Sequence, residues 1–181
     1  MSKLIGKNIK LRALELTDID FLYDIENNDT YWGLSNTQTP FSRYTLEQYI
    51  KNAHLDIYEA KQIRFAIESK KGQTIGMIDL FDFNPQHLRA GLGILIASDN
   101  QRKGYATEAI ELLNDYAFSY LNLRQLYVNI NLNNQKSIQL FEKLGYQFVG
   151  IRKDWILNKG SFKDVAFYQL INSKINEENI L

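Results

Sequence analysis

The stretch 99-DNQRKGYATEAI-110 decides the fold. It follows an apolar run, 92-LGILIA-97, and opens a helical pattern in which Ala106, Ala109, Ile110, Leu113, Ala117 and Leu121 recur every three or four residues. A strand that ends in amides, cations and a glycine, just before a helix, suits an anion. The first N–H groups of a helix lack internal partners and stand at the positive end of its dipole. A phosphate or pyrophosphate placed there accepts several of them at once. Gly104 lets the backbone come close, and Arg102 and Lys103 add charge. The pattern Gln-x-x-Gly-x-Ala, spanning residues 101–106, thus describes a pyrophosphate cradle with no side-chain catalyst in it.

Other phosphate-binding designs do not fit. No Gly-x-x-x-x-Gly-Lys-Ser/Thr run exists, and 91-GLG-93 lies inside a strand without the third glycine of a dinucleotide fingerprint.

Outward from this junction the chain reads as one unit over residues 1–181, with no linker or repeat. Its 181 residues can bury a sizeable core. Strands are expected at 8–14, 63–69, 74–83, 89–97, 125–132, 146–153 and 162–171. Turns fall at 70-KKGQ-73 and 158-NKGS-161. A helix begins at Thr17 or Asp18 and stops at 27-NND-29; a second spans 45–60, and after the one that begins near Ala106 a fourth runs from Gln135 to Leu144 with Asn134 as its cap. Residues 30–41 read as a loop and 172–181 as a peripheral tail. The order β-α-α-β-β-β-α-β-α-β-β gives an α/β (α+β) fold, a mixed sheet with helices packed on it.

Composition narrows the function. Lys+Arg and Asp+Glu number 21 each, so the net charge is zero, which argues against direct binding of nucleic acid. No apolar run is long enough to span a membrane. The N-terminus lacks a signal-peptide core, from which a cytoplasmic location is expected. Cysteine is absent and the two histidines have no ligand spacing, so no metal site is expected. Aromatics reach 13% with 11 Tyr, enough to line a cleft as well as fill a core.

A second motif completes the pattern. The segment 131-NLNNQKSIQLFEKLGYQFVG-150 follows a strand, with Asn134 and Ser137 one turn apart at a helix start. Together the two motifs resemble the GNAT superfamily of N-acetyltransferases, and the element order resembles that family over nearly the whole chain. The segments 80–96 and 150–171 look like the branch of ribosomal-protein and bacterial spermidine acetyltransferases.

The resemblance implies a mostly antiparallel sheet with helices on both faces, splayed between its fourth and fifth strands, and acetyl-CoA as co-substrate in that opening. It assigns Ile94, Leu95 and Ile96 to the pantetheine arm. Gln101, Arg102, Lys103, Gly104, Tyr105, Ala106 and Thr107 fall to the pyrophosphate, and Asn134 and Lys143 to the pantetheine or the far end of the cofactor. The implied reaction is direct attack of a primary amine on the thioester, with backbone N–H groups near residues 94–96 meeting the developing oxyanion.

Two catalytic positions depart from the family pattern. Phe141 stands where the family's proton-donating Tyr is usual, leaving Ser137 or Tyr146 as substitutes. Gly91 stands where many relatives carry a basic Glu, leaving Asp79, Asp82 and Glu68. Residues 33–44 contain no Asp or Glu, which favours a peptide N-terminus or small amine over a polyamine such as spermidine. Trp32, Phe41 and Tyr44, with Tyr31, are expected to wall the acceptor pocket, and His87 to lie near it. A non-catalytic acyl-CoA sensor is the alternative of another class, and a homodimer is left open.

Overall fold

The computed structural model describes residues 4–35, 37–53, 55–158 and 160–173, without the side chains of 33–35. Seven strands form one sheet in the order β1-β2-β3-β4-β5-β7-β6: β1 Ile9–Arg12, β2 Ile63–Ser69, β3 Thr74–Asn84, β4 Arg89–Ile96, β5 Gln125–Asn131, β6 Gln147–Asn158 and β7 Ser161–Ile171. Every pairing is antiparallel except β4 with β5. That parallel ladder holds only Arg89↔Gln125, Ala90↔Leu126 and Gly91↔Tyr127. Beyond Gly91 the two strands run on unpaired with each other, which is the expected splay.

Helices cover both faces because the strands alternate. On one face Phe65, Ile67, Ile78, Leu80 and Leu92 pack with Ile110 and Leu113 of α5 (Tyr105–Ser119) and Ile138 and Phe141 of α6 (Gln135–Lys143). On the other, Ala66 and Met77 pack with Leu22 and Ile25 of α1 (Ile19–Glu26) and Leu46 and Ile50 of α3 (Arg43–Lys51). Burying each such large aliphatic side chain contributes about 1.5–3 kcal/mol.

Three local expectations need correction. The loop expected at 30–41 contains a helix, α2 (Asp29–Ser35), started by Asn28, whose side-chain oxygen accepts the Thr30 N–H at 3.0 Å. That segment has no apolar period, so only its cap could have announced it. The helix expected at 45–60 is two: α3, capped by Ser42, and α4 (Ile57–Ala60), where Asp56 accepts from the N–H groups of Tyr58 and Glu59. An acceptor of that kind restarts a helix rather than continuing one. Asp18 stands before α1 as expected, but its carboxylate turns inward to Arg12 and Thr74 instead of capping the helix. The tail from residue 174 onward lies outside the described residues.

Candidate active site

The end of β4 carries the turn expected to hold an anion. After Ile96 a single 3-10 turn, Ser98–Asn100, leads to Gln101, whose side-chain amide donates to the Ile96 carbonyl at 3.1 Å. Arg102 and Gly104 both take the left-handed conformation, at φ 62° and 81°, turning the chain sharply into α5. A Cβ at Gly104 would meet nothing within 4 Å, so any side chain there would enter open space in front of the helix.

That space is a cleft of about 690 Å³. Ile94, Leu95 and Ile96 of β4 form one wall, and Gln101, Arg102 and Gly104 the turn. Tyr105, Ala106 and Thr107 at the start of α5 and Asn134 and Ser137 at the start of α6 close it. The Asn134 side chain caps α6 by accepting the Ser137 N–H at 3.1 Å. Two cations, Arg102 and Lys136, and no carboxylate line this cleft. A polyphosphate ester with an amide-bearing arm fits such walls: phosphates at the α5 N-terminus, amides along the unpaired edge of β4.

Two expected cofactor residues lie elsewhere. The Lys103 ammonium folds back onto the Asp99 carbonyl at 2.7 Å. Lys143 is exposed at the far end of α6, nine residues and about 13 Å along the helix axis from Asn134. Lys136, in the first turn of the same helix, lines the cleft instead.

A second cavity, of about 340 Å³, opens on the α1–α3 face of β4. Tyr31, Ile94 and Leu95 line both cavities, so the two meet across β4. One row of cross-strand partners floors the second: Arg64 on β2, Asp79 on β3 and Gly93 on β4. Arg64 Nη1 donates to Glu26 Oε1 at 2.8 Å, while its Nε stands 3.7 Å from Asp79 Oδ1, beyond hydrogen-bond reach. Burial pushes the Asp79 carboxyl above its ordinary value; Arg64 pulls it down less, and Glu26 adds to the rise. Burial also works against the Arg64 charge, but Asp79, Tyr49 and Glu26 together hold the guanidinium protonated.

The catalytic and acceptor expectations fare differently. Ser137 lines the cleft. Tyr146 does not: it is 2% exposed, packs edge-on against Phe141 and donates its hydroxyl to Asn114 Oδ1 at 2.8 Å. Burial drives its phenol far above the usual range, and Asn114 offsets little of that. Phe141 is core as well. Neither Trp32, Phe41, Tyr44 nor His87 lines either cavity. The Trp32 indole donates to the Glu26 carbonyl, and Phe41 is pinned by Asn27 through its backbone. Tyr44 is 71% exposed. His87 sits on the β3–β4 turn, at the opposite end of β4 from the anion site. Of the other carboxylates weighed as base, Glu68 is paired with Lys10 and Arg12, and Asp82 accepts the Tyr127 hydroxyl at 3.1 Å.

The residues the sequence reading passed over are Glu26, Gln62, Arg64 and Lys136. A charged residue at an inward strand position, as in 63-IRFAIES-69, was the available signal for Arg64.

Residues 8–147 match the model of the acetyltransferase (GNAT) domain. A spermidine N(1)-acetyltransferase of Escherichia coli K12 is 32% identical over 146 residues, 79% of this chain and 75% of that protein. The crystal structure of spermidine N-acetyltransferase from Vibrio cholerae in complex with CoA and spermine superposes with a TM-score of 0.84 at 29% identity, covering 92% of this chain and 96% of that one. A dodecameric structure of the Vibrio cholerae spermidine N-acetyltransferase in an intermediate state superposes at 0.77 with 30% identity, over 94% and 98% of the two chains. The resemblance drawn from the two motifs therefore holds over the whole fold, and the sensor reading gives way to an enzyme. The chain belongs to the GNAT family of N-acetyltransferases, and acetyl-CoA is its acetyl donor.

Proposed function

We propose that the protein transfers the acetyl group directly to a small primary amine, with both substrates bound at once. The observation that carries this reading is the meeting of the two cavities at Tyr31, Ile94 and Leu95. One cavity is cationic and about 690 Å³ in volume; the other is smaller, with Glu26 and Asp79 beside Arg64. Substrates entering from opposite faces of β4 would bring amine and thioester together there, and such positioning supplies much of the rate.

Bound acetyl-CoA supplies an activated acyl carbon and a thiolate leaving group. The protein does the rest. Unpaired N–H groups of β4 near residues 94–96 meet the oxyanion as charge develops. Arg102, Lys136 and the α5 N-terminus hold the phosphates. Ser137 takes over as hydrogen-bond donor to the departing sulfur, since Phe141 and Tyr146 are committed to the core.

The acceptor is read as an amine that arrives as an ammonium ion. Glu26 and Asp79 outnumber Arg64 in its cavity, so the site is net negative. This favours the polyamine alternative more than residues 33–44 did, because the carboxylates come from α1 and β3 instead of that segment. A peptide N-terminus remains the other candidate. Self-association belongs to the same reading. β6 is an edge strand, and Trp155, Leu157 and Phe162 on the β6–β7 hairpin are 59%, 64% and 61% exposed. A partner copy would cover them.

The test is thiol release from acetyl-CoA across a panel of spermidine, dipeptides, N-terminal peptides and amino acids. Turnover of at least one amine is expected. Release with none of them would overturn the reading, and the amine with the highest kcat/KM would name the acceptor class.

A further inference from the structure

We propose that Asp79 on β3 is the general base of the transfer, taking over from the strand β4 position that this chain fills with Gly91. The inference rests on the acetyltransferase reading above and adds the group that deprotonates the amine.

Geometry excludes a side chain at Gly91, because the Phe81 ring occupies the space a Cβ would need. It provides one two residues on. Gly93 has no side chain, and its cross-strand partner is Asp79. The two carboxylate oxygens of Asp79 lie 3.2 and 3.3 Å from where a Gly93 Cβ would stand. The carboxylate therefore covers the ground Gly93 leaves bare, beside Ile94 and Leu95, where the two cavities meet. A base on the neighbouring strand reaches the place that one on β4 would reach.

The partners of Asp79 suit that role. Among the described residues none donates a hydrogen bond to it, so its lone pairs face the cavity. Arg64, 3.7 Å away, lends charge without occupying them, because its Nη1 is engaged by Glu26. The other titratable groups around it are Glu26 on α1, Tyr49 on α3 and Tyr31 on α2. Burial raises the Asp79 carboxyl, which makes it a stronger base than a surface aspartate. The other nearby carboxylate, Glu26, has its Oε1 engaged by Arg64 Nη1.

The step balances as follows. The ammonium nitrogen loses one proton to Asp79, and its lone pair forms the C–N bond to the acyl carbon. The C–S bond breaks, with its electron pair leaving on sulfur. The nitrogen's second proton ends on that sulfur as the thiol, and Asp79 returns its proton to water through the cavity mouth. One ammonium and one thioester give one amide, one thiol and one released proton.

The experiment compares thiol release by wild type, Asp79→Asn and Asp79→Glu from about pH 5 to 9, with the best amine of the panel. Asp79→Asn should lower kcat by about 10²- to 10⁴-fold, the usual worth of a general base, and leave the KM of acetyl-CoA within about twofold. Its residual rate should climb steadily with pH, following the neutral fraction of free amine, where wild type levels off. Asp79→Glu should restore part of the rate with a displaced acid limb. Retention of the acetyl-CoA thermal shift checks that the fold survives. Asp79→Asn within about threefold of wild type, or Asp79→Glu with an undisplaced acid limb, would overturn the assignment of Asp79 alone. A wild type that turns over no amine would overturn the acetyl-transfer reading and this inference with it.

Discussion

The ring of Phe81 lies over the α-carbon of Gly91 so closely that not even a methyl group fits between them. Phe81 in turn meets Tyr127 edge-on, with ring centroids 5.9 Å apart, and so sits at the point where the β4–β5 ladder ends. The glycine is a steric requirement of that aromatic contact. Gly91→Ala should cost about 1–3 kcal/mol by overpacking. Gly91→Glu should cost more and bring no gain in turnover. Adding Phe81→Ala to Gly91→Ala should recover part of the loss, read as a coupling energy from urea unfolding of the four chains.

The cation pattern of the cleft separates cofactor residues from bystanders. Arg102→Ala and Lys136→Ala should each raise the KM of acetyl-CoA about tenfold, or about 1.4 kcal/mol, and leave kcat nearly unchanged. Lys103→Ala and Lys143→Ala should stay within about twofold. Gly104→Glu should abolish the acetyl-CoA thermal shift, since the new carboxylate would stand in the mouth of the anion site at a φ that already disfavours it. An equal response of all four basic residues would mean that charge acts at long range, through the summed field, rather than by contact.

The contrast between Lys136 and Lys143 illustrates what sequence could and could not say. The two motifs pointed to the family, the splay after β4 and most residues of the cleft wall, because glycine at a strand-to-helix junction and a capping Asn have local causes. Lys143 stands nine residues beyond Asn134 along α6, which puts it outside the cleft. The acceptor side was hardly legible. Arg64, Asp79 and Gly93 are distant in sequence and become neighbours only through antiparallel register. Of the aromatic residues expected to wall the pocket, Tyr31 lines both cavities, but Trp32 ties α2 to α1 and Phe41 ties the segment before α3 to the end of α1.

Tyr146 and Ser137 differ in what their loss should change. Tyr146→Phe removes the bond to Asn114 and should cost about 1 kcal/mol of stability, with kcat within about twofold of wild type. Ser137→Ala should leave the melting temperature nearly unchanged and lower kcat. Thermal melts beside steady-state rates check both, and a large kcat loss in Tyr146→Phe would return that residue to the reaction.

Two aspartates should respond to pH with opposite signs. Burial alone would raise the Asp18 carboxyl, but hydrogen bonds from Arg12, Thr74 and the Glu15 N–H pull it down to about 2. Its stabilisation is therefore present above the ordinary carboxylate range and is lost as pH falls from about 4 through about 2. Asp18→Asn should cost about 2 kcal/mol at neutral pH and almost nothing in strong acid. Asp79 is raised, so its contribution is greatest when protonated and is lost as pH rises through its folded value. Asp79→Asn should thus melt higher than wild type at neutral pH. Calorimetry at three pH values reads both signs.

The exposed hairpin predicts an assembly. Trp155→Asp with Phe162→Asp should reduce the molar mass measured by light scattering toward 21.1 kDa, with the fold retained. A wild type already at that mass would remove the proposal that a second copy covers this face.

The ladder that stops at Gly91 has a mechanical consequence. Within the sheet only three ladder pairs join the four-stranded part, β1 to β4, to the three-stranded part, β5, β7 and β6. The sheet is two panels on a short hinge. Amides along the open edge of β4 should exchange with deuterium faster than those facing β3, although both belong to one strand. Whatever fills the wedge ties the panels together, so donor binding should slow exchange on both sides of the seam at once.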